Sequence, residues 1–82
     1  MTTATSDRPQ RAHLNRIVLA QRVWQTRRDR GWSQEMLARQ AGLSLMTVCH
    51  LENANRTANT GTIFLLARAL DVSPEWLCGV EE

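Results

Sequence analysis

Apolar residues along this chain recur at helical spacing, in short runs divided by capping residues. Two of these runs lie between Gly31 and Glu52. Ser33 is a good N-cap, because its hydroxyl can accept from an unpaired amide of the first turn. Glu35 adds negative charge near the positive end of the same helix. Leu37, Ala38 and Ala41 then fall at i, i+1 and i+4, on one apolar face. Gly42 stands where a left-handed residue ends a helix. Ser44 caps the next one, in which Val48 and Leu51 are three apart and share a face. The link Gly42-Leu43 is too short for antiparallel helices to lie comfortably side by side. Two helices crossing steeply over a tight Gly turn form a helix-turn-helix.

The flanks continue the pattern. A first helix is expected from about Leu14 to Arg30, with Leu19 and Val23 facing a core. Arg27 lies four residues further along that stripe, where a charge needs a partner. The central helices are expected over about Ser33 to Gln40 and Leu45 to Asn53, followed by a polar loop to Asn59. Ile63, Leu66, Ala67 and Leu70 mark a fourth helix from about Thr60 to Leu70. Asp71-Val72 is a short link. Ser73, Pro74 and Glu75 then signal the start of a last helix, which returns Trp76 and Leu77 to the core. One Phe, no Tyr and no β-branched run argue against a sheet. The expected fold class is all-α.

Length makes this one small domain with a modest core, since it has 82 residues. The net charge of +2 is unevenly placed. Residues 1–40 carry eight Arg against Asp7, Asp29 and Glu35, a net +5. Residues 41–82 carry Arg56 and Arg68 against five carboxylates, a net −3. A basic front half suits a polyanion, with a solvated helix surface as the alternative. Every basic residue is Arg. Arg suits bidentate contacts to phosphate and guanine, and the base composition of a genome produces the same bias. Met1 to Gln10 is Thr-rich and polar and contains Pro9. Residues 1–13 are expected as a flexible basic arm ahead of a domain at 14–80. Such an arm lies along DNA phosphates or is simply an untethered terminus, the commoner case.

Candidate chemistry is sparse. No nucleophile or metal motif is present, and the expectation is a non-enzyme without a cofactor. Cys49-His50 with Cys78 falls short of the four organised ligands of a structural zinc site, and the two Cys read as small apolar residues. No metal is expected. The thiols are not closely paired, and neither a signal peptide nor a long apolar span occurs, so a reduced, cytoplasmic setting is expected. Without secretion, the acceptor pattern Asn55-Arg56-Thr57 carries no meaning.

Ser33-Gln34 with Leu37-Ala38, then Ala41-Gly42-Leu43-Ser44, then Thr47-Val48 and Leu51-Glu52, resemble in order and spacing the lambda repressor/Cro-like, or XRE, family. The resemblance spans roughly Leu19 to Gly79. It implies a compact five-helix bundle in which Arg27 pairs with Glu52. It implies base readout by Leu45, Met46, Thr47, His50 and Asn55, at the start of the recognition helix and just beyond it. Gln34, Ser44, Asn53, Arg56 and Thr57 would meet phosphates, with Gln34 also bracing the first base contact. The fifth helix would carry a dimer contact near Trp76, Cys78 and Val80.

The chain also departs from that family. Leu45 and Met46 are apolar where hydrogen-bonding side chains are common, which points to thymine methyls and leaves polar readout to His50 and Asn55. Trp24 stands where the family has a polar residue, and Thr26 where it has Leu, so this helix face is shared with something unusual. Ala54 replaces the usual Gly. Because Ala is poor in a left-handed cap, Asn53 or Asn55 is expected to take that conformation.

Two functions remain open. One is a sequence-specific regulator of double-stranded DNA, a repressor of phage, plasmid or prophage type that acts as a homodimer on a two-fold operator. The other is a protein-binding module on the same fold, an antitoxin or host-protein inhibitor. Its surface would use Trp24, Met36 and Leu65 with Leu45 and Met46, since clustered exposed apolar residues mark interaction sites.

Overall fold

Side-chain caps divide the chain close to where the pattern predicts. The structure is a computed structural model that describes residues 2–55 and 58–79, with side chains from Arg16 onward. It has five helices: α1 (Thr2–Asp29), α2 (Gln34–Ala41), α3 (Leu45–Glu52), α4 (Thr60–Leu70) and α5 (Pro74–Cys78). The described residues contain no strand. Ser33, Ser44, Asn59 and Ser73 accept from the amides of Met36, Thr47, Thr62 and Trp76, each three residues on. Each such cap contributes about 1 kcal/mol.

α1 departs from expectation at its start. Its helical backbone begins at Thr2, not near Leu14, and so runs through the stretch expected as an arm. Docking of Leu19 and Val23 supplies the nucleus, and extending an existing helix adds one hydrogen bond per residue fixed. Gln10, Arg11, Ala12, Leu14 and Arg16 are good helix formers, and the helical backbone continues through Pro9 to Thr2. At about 1.5 Å per residue, 28 residues span about 42 Å. This helix therefore sets the 45 Å long axis of the molecule.

One core joins all five helices. Leu19 and Val23 meet Leu37, Ala38, Ala41, Val48, Leu51, Leu66, Ala67, Leu70 and Leu77, all buried. α1 packs on α3 and α5, α2 on α3 and α4, and α4 on α5. Leu77 is wholly inside, whereas Trp76 and Ile63 are only half-buried at the edge.

The helix ends correct one expectation. Gly42 takes the left-handed conformation after α2 at φ 73, and Leu43 then donates to the Ala38 carbonyl at 2.8 Å. After α3 the left-handed residue is Ala54 itself, at φ 59; neither Asn53 nor Asn55 takes that role. The reason lies in the hydrogen bonds. With Ala54 left-handed, its own amide reaches the Leu51 carbonyl at 3.1 Å and the Asn55 amide reaches the His50 carbonyl at 3.0 Å. That is the Schellman pair, and it satisfies two carbonyls that would otherwise lack partners. Their gain offsets the roughly 1–2 kcal/mol that a Cβ costs in this conformation.

Candidate nucleic-acid interface

α3 is held from within and open on the outside. Val48 and Leu51 enter the core, fixing the rotation of the helix. Met46 and His50, four residues apart, therefore share a stripe on the far side. Leu45 is 46% and Met46 67% exposed at the N-terminal end, while Thr47 and His50 are half-buried. Ser44 both caps the helix and pairs with the Thr47 hydroxyl at 2.8 Å, so these two hydroxyls engage each other. Asn53 and Asn55 are exposed just beyond the helix. Arg56, Thr57 and Val80 lie outside the described residues.

A buried polar chain fixes the other end of α3. Arg27 donates from Nε to Glu52 Oε2 at 2.7 Å and from Nη2 to Oε1 at 2.9 Å. Its Nη1 donates to the Trp32 carbonyl at 2.7 Å. The charge on the apolar stripe of α1 thus has a bidentate partner, the geometry that best repays desolvation. Gln34 extends the chain. Its Nε2 donates to Glu52 Oε1 at 3.0 Å, and its Oε1 accepts from the Cys49 thiol at 3.1 Å. The family resemblance assigns Gln34 to a phosphate and to bracing the first base contact, and both ends of its amide also have partners inside the fold.

Most of the described arginines of α1 and of the turn after it likewise serve the fold as well as its surface charge. Arg22 donates to the Trp76 carbonyl and stacks over that indole at 4.6 Å. Arg30 donates to the Leu70 carbonyl at 2.7 Å and lies over Trp32 at 5.4 Å. Arg28 covers Trp24 at 5.0 Å. Sequence reasoning missed these clamps, because Trp76 is remote along the chain and nothing local pairs it with Arg22. Arg39 and Arg68, by contrast, are exposed and have no ion-pair partner among the described residues.

The remaining candidates are dispersed. Trp76 and Cys78 sit half-buried on α5. Burial, and then the Glu75 carboxylate, push the Cys78 thiol up, which disfavours the thiolate. Among the described residues, no three His, Cys, Asp or Glu are placed to hold a metal ion. No described helix is long and apolar enough to cross a membrane. Trp24, Met36 and Leu65 are exposed, and so is Phe64 at 57%, which the sequence reading passed over. Its position off the Ile63, Leu66, Ala67, Leu70 stripe was the available signal. Trp24 also borders an open groove with Ile17, Ala20, Asn53, Ala54 and Trp76, between α1 and the end of α3.

Comparison with known proteins agrees with this arrangement. A family model described as helix-turn-helix, of the XRE type, matches residues 25–77. The chain belongs to the XRE helix-turn-helix family. Among solved structures, this XRE-family chain is similar to a hypothetical transcription factor from Neisseria. They share 36% identity at a TM-score of 0.75, over 80% of this chain and 75% of that one. It is also similar to the restriction-modification controller protein C.AhdI from Aeromonas hydrophila. There the identity is 34% and the TM-score 0.73, over 78% of this chain and 97% of that one. No curated protein matches it. Family and neighbours together make it a DNA-binding transcriptional regulator with the lambda-repressor-like five-helix fold.

Proposed function

We propose that this XRE-family chain is a repressor of phage, plasmid or prophage type, acting in the cytoplasm on the nucleoid, that reads a two-fold operator as a homodimer. α3 enters the major groove. Leu45, Met46, Thr47, His50 and Asn55 meet base edges, and Gln34, Ser44, Asn53, Arg56 and Thr57 meet phosphates. Two domains pair through α5 around Trp76, Cys78 and Val80, so that two half-sites are read together. The observation that carries this reading is the outer face of α3. A rigidly seated helix exposes Leu45 and Met46 at its N-terminal end, where apolar groups can take thymine methyls.

The test is fluorescence anisotropy with a duplex that the protein has selected from random-sequence DNA, against a scrambled duplex, at several salt concentrations. The selected duplex is expected to win by at least about a thousandfold, with affinity falling steeply as salt rises. The exposed Trp24, Met36, Phe64 and Leu65 favour a second reading, a protein-binding module such as an antitoxin or host-protein inhibitor. Equal, weak binding to both duplexes together with a stoichiometric protein partner would decide for it.

A further inference from the structure

The amide of Gln34 is shared between two residues of the recognition helix. Cys49 and Glu52 are three apart on α3 and so lie on one face. Gln34 opens α2, and its side chain bridges both. The two neighbours admit one orientation of that amide. An ionised carboxylate only accepts, so the NH2 end must turn toward Glu52. The carbonyl end is then left to Cys49, whose S–H is a donor. Glu52 cannot turn away, because Arg27 holds both of its oxygens.

We infer that Cys49 and Glu52 are positioning residues for DNA recognition, acting through Gln34. This rests on the reading of Gln34 as a phosphate ligand. One hydrogen of Nε2 is taken by Glu52, and the other has no partner among the described residues. Held in this orientation, Gln34 offers that N–H to an acceptor outside the fold, and a phosphate oxygen is such an acceptor. The same bridge sets the start of α2 against the end of α3. The phosphate that Gln34 grips and the bases that α3 reads are thereby kept in one frame. Loss of the Cys49 donor frees the carbonyl end, so the amide is held at Glu52 alone and can pivot about that bond.

A methylphosphonate scan of the selected duplex tests this, because it removes one phosphate charge and oxygen at a time. In the parent, one position per half-site should depend on Gln34: neutralising it weakens the parent about three- to tenfold and leaves Gln34→Ala unchanged. Cys49→Ala should lose most of the sensitivity at that position. Cys49→Ser, which keeps a donor, should retain it. Cys49→Ala should also weaken binding in the parent but not in the Gln34→Ala background. If Cys49→Ala keeps full sensitivity at the Gln34-dependent phosphate, or weakens binding equally in both backgrounds, the inference is overturned while the repressor reading stands. If no phosphate depends on Gln34, its assignment as a ligand fails, and the inference with it. If random DNA yields no selected duplex, the repressor reading itself fails.

Discussion

The two faces of α3 are built on different terms. On the inner side Val48 and Leu51 are sealed in the core, and Glu52 is gripped by Arg27 and Gln34. On the outer side Leu45 and Met46 present much of their apolar surface to solvent. Burying those apolar groups would have been favourable, so their exposure is informative in a way that a lone surface Leu is not. On the proposed reading, folding and recognition occupy opposite faces of one eight-residue helix. Substitutions on the inner face should act on stability first, and those on the outer face on binding alone.

The largest effects belong to the inner face. Arg27→Ala leaves the Glu52 carboxylate buried without its cation and should lower unfolding free energy by about 3–5 kcal/mol. Leu51→Ala should cost about 2–5 kcal/mol through the cavity it leaves. Either is a large share of the stability of a domain this small. Urea denaturation reads both. Replacing Arg27 and Glu52 together by apolar residues of similar volume should recover much of the loss, because the buried charge goes with its partner. A loss below about 1 kcal/mol for Arg27→Ala would mean that water reaches Glu52 and that the inner face is not sealed.

On the outer face the order of effects reverses. His50→Ala and Asn55→Ala should each weaken binding to the selected duplex by about 1–3 kcal/mol, and relax sequence preference at one base pair. Their unfolding free energies should stay within about 0.5 kcal/mol of the parent, as at other surface positions. Should either variant unfold readily yet bind normally once folded, the division between faces would be wrong. A finer version tests the apolar pair. Replacing thymine by uracil in the selected duplex deletes one methyl and should cost about 0.8 kcal/mol wherever Leu45 or Met46 covers it. The penalty should vanish in Met46→Ala at the positions that Met46 reads, and persist elsewhere.

The inner face was largely legible in the sequence, because periodicity and capping are local. Ser33, Ser44 and Ser73 with Pro74 marked helix starts to within a residue, and the stripes of α2 to α4 named most of the core. Arg27 was legible too, because a charge on an apolar stripe requires a partner, and the family resemblance supplied Glu52. What periodicity could not supply were contacts across the fold. The stacking of Arg22 on Trp76 joins residues 54 apart. The bridge from Gln34 to Cys49 depends on how steeply α2 and α3 cross. These contacts also temper the charge argument. Several arginines of α1 and the turn after it that look from composition like a polyanion surface are clamps on tryptophans and carbonyls. The start of α1 was not legible for another reason: a Thr-rich, polar stretch with Pro9 reads as an arm by composition, which carries no sign of the docked helix that extends into it.

The smallest expected effect lies where the two faces meet, at the turn after α3. Gly42 and Ala54 end successive helices with the same left-handed conformation, but only one of them has a Cβ to strain. Ala54→Gly removes that strain, worth about 1–2 kcal/mol. It also loosens the unfolded chain, which takes back about 0.4–1 kcal/mol. The net should be a gain of about 0.5–1 kcal/mol, read as a higher urea midpoint at unchanged slope. Because the Schellman bonds of Ala54 and Asn55 need only backbone, they should persist and hold Asn55 in place for the DNA. Operator affinity should then follow the parent. A more stable protein that binds less well would instead show that the Ala54 methyl helps to orient the loop carrying Asn55. Recognition would then borrow from the fold at the one point where the two faces touch.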